Sequence, residues 1–249
     1  MSEEQSFSAV GEYFGELTEL MGASKDSKRV AGLIAGRLSS EYSKDIMASL
    51  VEMEGLHKEI CQILDDFSGR HVGLGKYLTV DHLILLIKFY VVQWSTMTDM
   101  VASIINKAFN LGISEKDVRF GLVLRNKPVQ QSDVAKAFKM HSKEIEHKLF
   151  NQHRNEIVHR GRIMDTYVLE LKTEWNRLYS SKYSILAEKS ITDGEYRTAS
   201  TALNKKTFDL AAERQTYYRK HYENTLKLVG EILRALAHKT IDLYQKNAI

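Results

Sequence analysis

The sequence predicts an all-α protein, and three observations carry that prediction. The 249 residues contain a single proline. Apolar residues recur every three or four positions, and few segments show the alternation of a half-buried strand. The periodic segments are separated by glycines and capping residues that read as helix stops and starts. Hydrophobic residues make up 43% and charged residues 27%, the balance of a globular and not a disordered chain. The length suffices for a large core, and one all-helical domain over residues 1–249 is expected. Cys61 is the only cysteine, so no intramolecular disulfide forms. With no leader-like start, the expectation is a reducing cytoplasm. The longest apolar run, Leu83 to Trp94, is interrupted by Lys88 and is too short to span a bilayer. No membrane association is expected.

The elements follow in order. Phe7, Val10, Phe14, Leu17 and Met21 form the stripe of a first helix, which Gly22 ends. Asp26 or Ser27 caps a second pattern running from Val30 through Leu50, Met53 and Leu64 to Phe67, with Ser39, Ser40 and Asp45 as points of bending. Gly69, Gly73 and Gly75 mark a connection. A third helix is expected from Val80 to Asn110, stopped by Gly112, and central because apolar residues occupy most of its circumference near Leu83–Val92. Ser114 and Asp117 resemble a capping pair for a short helix to Leu124, and Pro128 marks a loop. Ser132 opens a helical stretch through Phe138, Ile145, Leu149 and Phe150 into the segment 154–159. Gly161 or Asp165 separates it from a helix carrying Val168, Leu171, Trp175 and Leu178. Thr192 and Glu195 fit a capping box, and a long final pattern runs from Thr201 to beyond Tyr244.

Net charge is +3, but it is unevenly placed. Residues 119–162 hold ten Lys/Arg and four Asp/Glu, a local balance of +6 that leaves −3 for the rest. A basic stretch in an acidic host suits an anion, although a solvated helix face has the same composition. Three Glu-x-x-His pairs occur, at Glu54/His57, Glu144/His147 and Glu156/His159. Two such pairs with two more carboxylates can hold a di-metal centre. The most apolar helix offers only Asp81 and Asp99, so no metal site and no cofactor is expected. His141, His147, His153 and His159 recur every six residues, which fans them about 240° apart around a helix. They are read as surface histidines, His159 excepted. Gly73-Leu74-Gly75-Lys76 lacks the strand and the Gly-Lys-Ser/Thr ending of a phosphate loop and reads as a turn. Cys61 reads as a small core residue. Tyr217, Tyr218 and Tyr222 beside Arg219 and Lys220 read as helix packing ahead of base stacking.

One segment stands apart: Arg154-Asn155-Glu156-Ile157-Val158-His159, followed by Arg160-Gly161-Arg162. Arginine grips phosphate with a planar fork of donors, and histidine exchanges protons near neutral pH. An amide directly after the arginine adds a hydrogen-bonding group. Arg154-Asn155-x-x-x-His159 resembles the Arg-x(4–6)-His hallmark of the HEPN superfamily, the all-helical "higher eukaryotes and prokaryotes nucleotide-binding" domains. Trp94-x4-Asp99 and Leu111-Gly112-Ile113 are similar to a subgroup of that family. The resemblance covers about residues 80–180, with residues 1–75 and 190–249 as additional N- and C-terminal helices.

The resemblance implies a four- or five-helix bundle that dimerises. It implies RNA as partner, in a family that includes metal-independent ribonucleases of toxin–antitoxin and phage-defence systems and members that only bind RNA, nucleotides or protein. The expected activity is therefore a metal-independent endoribonuclease, with Arg154 on the phosphate, His159 in acid–base catalysis and Asn155 positioning. Arg160 and Arg162 assist RNA binding, and an antitoxin or other protein is a possible partner. The rival expectation is a non-catalytic helical module binding RNA or a protein. Arg154 and His159 lie about 140° apart on a straight helix, so the helix must bend or end near the motif, or the arginine must reach round.

Overall fold

The computed structural model describes residues 7–23, 41–68, 78–183 and 190–246. Among them there is no strand. The helices are α1 (Ala9–Ala23), α2 (Glu41–Asp66), α3 (Val80–Phe109), α4 (Phe120–Val123), α5 (Lys127–Gln130), α6 (Asp133–His141), α7 (His147–Arg160), α8 (Thr166–Tyr183) and α9 (Asp193–Lys246), with a 3-10 turn at Glu115–Asp117. The expected cap at Asp26 or Ser27 and the glycines at 69, 73 and 75 lie outside the described residues.

Helix α3 ends where its pattern ends, but Asn110 does the stopping. It takes a left-handed φ of 49°. Leu111 N donates to Asn106 O at 3.0 Å and Asn110 N to Lys107 O at 3.1 Å, which satisfies the last carbonyls. The Asn106 side chain then binds the backbone of Ile113, donating to its carbonyl at 2.8 Å and accepting from its amide at 3.2 Å. The capping box of α9 forms as expected. Thr192 N donates to Glu195 Oε2 at 2.8 Å, and Glu195 N donates to Thr192 Oγ1 at 3.2 Å. These bonds hold the Glu195 carboxyl below its usual range, the backbone bond most. With this start α9 has 54 residues, about 80 Å at 1.5 Å per residue.

Four expectations are corrected. No short helix runs from Ser114 to Leu124, because Ser114 makes no side-chain cap and the chain breaks into a 3-10 turn and α4. Pro128 lies in the first turn of α5, where its missing amide costs nothing. The helical stretch from Ser132 is two helices, α6 and α7, divided by turns over 142–146 that end with Glu146 at φ 44°. Finally, α3 is apolar round most of its circumference near Leu83–Val92 but is not buried on every side, since Leu85 and Phe89 are 46% and 55% exposed.

The chain forms two compact units. The described parts of Met1–Glu59, Gln93–His147 and His221–Ile249 make the first. Its buried residues include Leu50 and Met53 of α2, Trp94, Met97 and Ile105 of α3, Phe120, Ile145, and Tyr222, Ile232 and Leu236 of α9. Several polar groups buried among them are partnered, which offsets the cost of desolvating them. Trp94 Nε1 donates to Thr225 Oγ1 at 2.9 Å, and His57 Nδ1 pairs with the Tyr222 hydroxyl at 2.9 Å. His221 Nε2 lies 2.7 Å from Ile145 O. Burial drives His221 down to about 4, partly opposed by that bond, so the ring is neutral and donates to the carbonyl. His147 is also pushed down by burial. Its ring lies 6.0 Å from Trp94, 5.6 Å from Phe120 and 5.5 Å from Phe138. His141 is 12% exposed, 3.1 Å from Glu231 and 3.5 Å from Glu144. Neither is a surface histidine as expected, because α6 and the start of α7 turn them toward apolar or acidic neighbours.

The second unit comprises the described parts of Ile60–Val92 and Lys148–Lys220. Leu64, Phe67, Leu83, Tyr90, Phe150, Val168 and Tyr218 are buried in it. Tyr218 is its aromatic hub, with ring centres 4.6 Å from Tyr90, 5.6 Å from Phe67 and 6.3 Å from Phe150. Tyr90 donates its hydroxyl to Tyr218 O at 3.2 Å, and Gln215 Nε2 donates to Leu64 O at 2.7 Å. Ion pairs join Lys172 to Asp81 at 2.8 Å and Lys206 to Glu174 at 2.7 Å. No described helix is long and apolar enough to cross a membrane.

Candidate functional site

The candidate residues all belong to the second unit, on α7 and the link that follows it. Helix α7 ends one residue beyond His159. Gly161 takes φ 65°, the left-handed conformation that lets a helix stop, and a side chain there would be strained. Its amide donates to Ile157 O at 2.9 Å, and Arg162 N donates to Glu156 O at 3.1 Å. The helix thus ends near the motif, but Arg154 and His159 both lie within it, so its end does not bring them to one face.

The faces of α7 are distinct. Phe150 is buried, and Arg154 and Ile157 are half-buried on the same side, four and seven residues on. Asn155 and His159 are exposed. They are four residues apart, hence about 40° apart on one face, while Arg154 lies about 140° from His159. The structure thus brings Asn155 and His159 together and leaves Arg154 on the inner side within one chain. Among the described residues no hydrogen bond or ion pair engages the side chains of Asn155, His159 or Arg162. Arg160 is exposed, and its Nη1 donates to Glu156 Oε1 at 2.9 Å. That pair also occupies the carboxylate of Glu156, the partner in the Glu156/His159 spacing. Arg162 stands exposed in the link.

The inner side is aromatic. Phe150 lies 5.8 Å from His153 and 6.4 Å from Tyr217, with the Tyr217 ring nearly parallel. Tyr218 and Tyr222 are core residues, in line with the packing expectation, whereas Tyr217 is 39% exposed. Of the other metal-type pairs, Glu54 accepts a bond from Ser8 Oγ at 2.6 Å and His57 is held by Tyr222. Among the described residues no three His, Cys, Asp or Glu side chains gather as a metal group.

Sequence reasoning missed what holds the link after α7. Arg214 Nε and Nη2 donate to the two carboxylate oxygens of Asp165, the second at 3.1 Å. Both side chains are nearly buried, at 10% and 13% exposure. Asp165 Oδ1 also accepts from Val168 N at 3.2 Å and so caps α8. The pairing raises the Arg214 guanidinium further above its usual range. Asp165 was visible as a helix start, but its partner lies 49 residues away and no local pattern pointed to it.

Comparison with protein families matches residues 38–207 to the family described as Cthe2314-like HEPN. The match contains α2 from its start, the whole of α3 to α8 and the first part of α9. Neither a curated protein nor a solved structure matches the chain.

Proposed function

The chain belongs to the Cthe2314-like HEPN family, an all-helical HEPN-type module, and on that premise we propose that it is a metal-independent endoribonuclease acting in the cytoplasm as a homodimer. The observation that carries this reading is His159. It stands exposed at the end of α7, unengaged by any described side chain, with Asn155 one turn away on the same face.

The reaction is transesterification through the RNA's own 2′-hydroxyl. A base takes the 2′-OH proton, the 2′-oxygen bonds to phosphorus, and the bond to the 5′-oxygen breaks. An acid protonates that leaving oxygen, giving a 2′,3′-cyclic phosphate and a 5′-hydroxyl. His159 exchanges the proton, Arg154 compensates the charge on the crowded phosphate, and Asn155 positions phosphate or imidazole. Arg162 and, once released from Glu156, Arg160 add charge for RNA binding. One chain offers one motif histidine where the reaction uses both a base and an acid. A two-fold pair of chains offers two histidines and two arginines. In such a system the activity suits a toxin or phage-defence effector, with an antitoxin as protein partner.

One observation favours a second reading. Arg154 lies on the half-buried inner face, away from His159. In a non-catalytic module it would be a packing or interface residue, and the exposed groups would bind RNA or protein. The deciding experiment uses purified protein, varied single-stranded RNAs and EDTA. The ribonuclease reading expects cleavage to cyclic phosphate ends that survives EDTA and is lost in His159→Ala. Binding without cleavage by wild type supports the second reading. Undiminished cleavage by a folded Arg154→Ala/His159→Ala double variant ends the assignment.

A further inference from the structure

Helix α7 presents outward more than the motif. Lys148, Gln152, Asn155 and His159 occupy positions i, i+4, i+7 and i+11, which fall within about 60° of one another around the axis. All four are exposed, and among the described residues none of their side chains has a hydrogen bond or ion pair. The stripe itself contains no carboxylate. The nearest in sequence, Glu156, is turned to Arg160. The stripe runs about 16 Å, the length of eleven helical steps.

We propose that these four side chains form one track for the backbone of single-stranded RNA, with Lys148 holding a phosphate several nucleotides from the one at His159. The proposal rests on the ribonuclease reading and extends its site by Lys148 and Gln152. The chemistry of the stripe matches that occupant. A lysine is a compact cation suited to a phosphate. Gln152 and Asn155 each carry an amide that donates to phosphate and sugar oxygens. None of the four positions puts a carboxylate in the path of a polyanion, although Glu144 and Glu146 stand exposed just before Lys148. Contacts of this kind position a strand without selecting sequence. The track predicts that binding energy collected at Lys148 and Gln152 is delivered at the opposite end of the helix, where α7 stops.

The test is binding of a labelled oligouridylate made uncleavable by 2′-O-methylation, followed by fluorescence anisotropy across salt concentrations. Lys148→Ala should raise Kd about fivefold and lower the salt dependence by about 0.7 in log–log slope, one phosphate contact on a single strand. Gln152→Ala should raise Kd about threefold, the loss of one hydrogen bond, without changing the slope. Lys205→Ala, an exposed lysine of α9, is the charge control and should bind as wild type. Melting temperatures should be unchanged, since the substituted positions are exposed. If wild type binds or cleaves RNA while Lys148→Ala and Gln152→Ala match it, the track is overturned and the ribonuclease reading stands. If wild type neither binds nor cleaves RNA, that reading falls and the track falls with it.

Discussion

His159 and Arg154 differ in surroundings, and so their substitutions should differ in what they disturb. His159 is exposed and makes no hydrogen bond, ion pair or ring contact with a described residue, so His159→Ala should leave the fold intact and remove about 10²–10⁴ in cleavage rate. Arg154 is half-buried beside Phe150, so its replacement affects packing as well. Arg154→Lys keeps the charge and most of the stem but loses the planar fork, and it should not restore cleavage if bidentate phosphate contact is what matters. Circular dichroism must show both variants helical, and activity near wild type in either would remove that residue from the proposed chemistry.

A second residue-scale effect concerns stability. His221 is buried neutral, with its folded value near 4 against about 6.5 in the unfolded chain. Between those values the unfolded chain binds the proton and the folded one does not. Stability is therefore full above about pH 6.5 and falls as pH drops toward 4, by about 3 kcal/mol if this site acts alone. His147, also lowered by burial, acts in the same direction. His221→Gln keeps an amide donor for Ile145 O but does not titrate. Its melting temperature should fall less steeply over that window, and parallel curves for the two proteins would refute the account.

At the scale of elements, the Asp165–Arg214 pair joins the link after α7 to α9 while Asp165 caps α8. Removing Asp165 leaves the nearly buried Arg214 with only the exposed Glu213, to which its Nη1 donates at 2.7 Å, and removing Arg214 leaves the nearly buried Asp165 with only a backbone amide. Asp165→Leu should therefore cost about 3 kcal/mol or more, the cap included. Arg214→Leu should cost less, because the Val168 amide still binds Asp165. The double variant should be more stable than the sum of the singles predicts, since neither charge remains unpaired. Denaturant unfolding of the four proteins reads the coupling, and additive losses would mean that the pair is not a unit.

The same elements show what was legible in the sequence. The bounds of α3, the capping box of α9 and the stop at Gly161 all follow from local chemistry, and local chemistry is what a sequence displays. The division between α6 and α7 was not legible. His141-Ser142-Lys143-Glu144-Ile145-Glu146 holds neither glycine nor proline, yet Glu146 adopts a left-handed φ. Burying Ile145 and bonding its carbonyl to His221 are contacts across 76 residues, and they outweigh the helical preference of the segment. Exposure was similarly hidden. Leu85 and Phe89 fit an apolar pattern, but whether a neighbour covers them depends on packing and not on spacing. At the candidate site, the spacing of the motif and the end of its helix were readable, whereas the half-burial of Arg154 and the Glu156–Arg160 pair needed the structure.

At the scale of the whole molecule, the separation of Arg154 from His159 around α7 bears directly on assembly. Within one chain they lie about 140° apart, too far round the helix to be expected to meet one phosphate without the arginine reaching across. A two-fold homodimer resolves this if each site takes Arg154 from one protomer and His159 from the other. Light scattering should then find a dimer at tens of micromolar, and a strict monomer would count heavily against it. Complementation is the sharper test. Arg154→Ala and His159→Ala are each expected to be inactive alone. Mixed in equal amounts and allowed to exchange, half of the dimers would be hybrid. In the shared cleft each hybrid keeps one intact Arg154–His159 pair and lacks the other, so part of the activity should return, up to about a quarter of wild type if each pair works alone. If each site instead uses both residues of one protomer, every site in the mixture carries a defect and no activity returns. Hybrid formation, followed by differently tagged protomers, together with absent recovery would place each motif's arginine and histidine in the same site and overturn the shared arrangement.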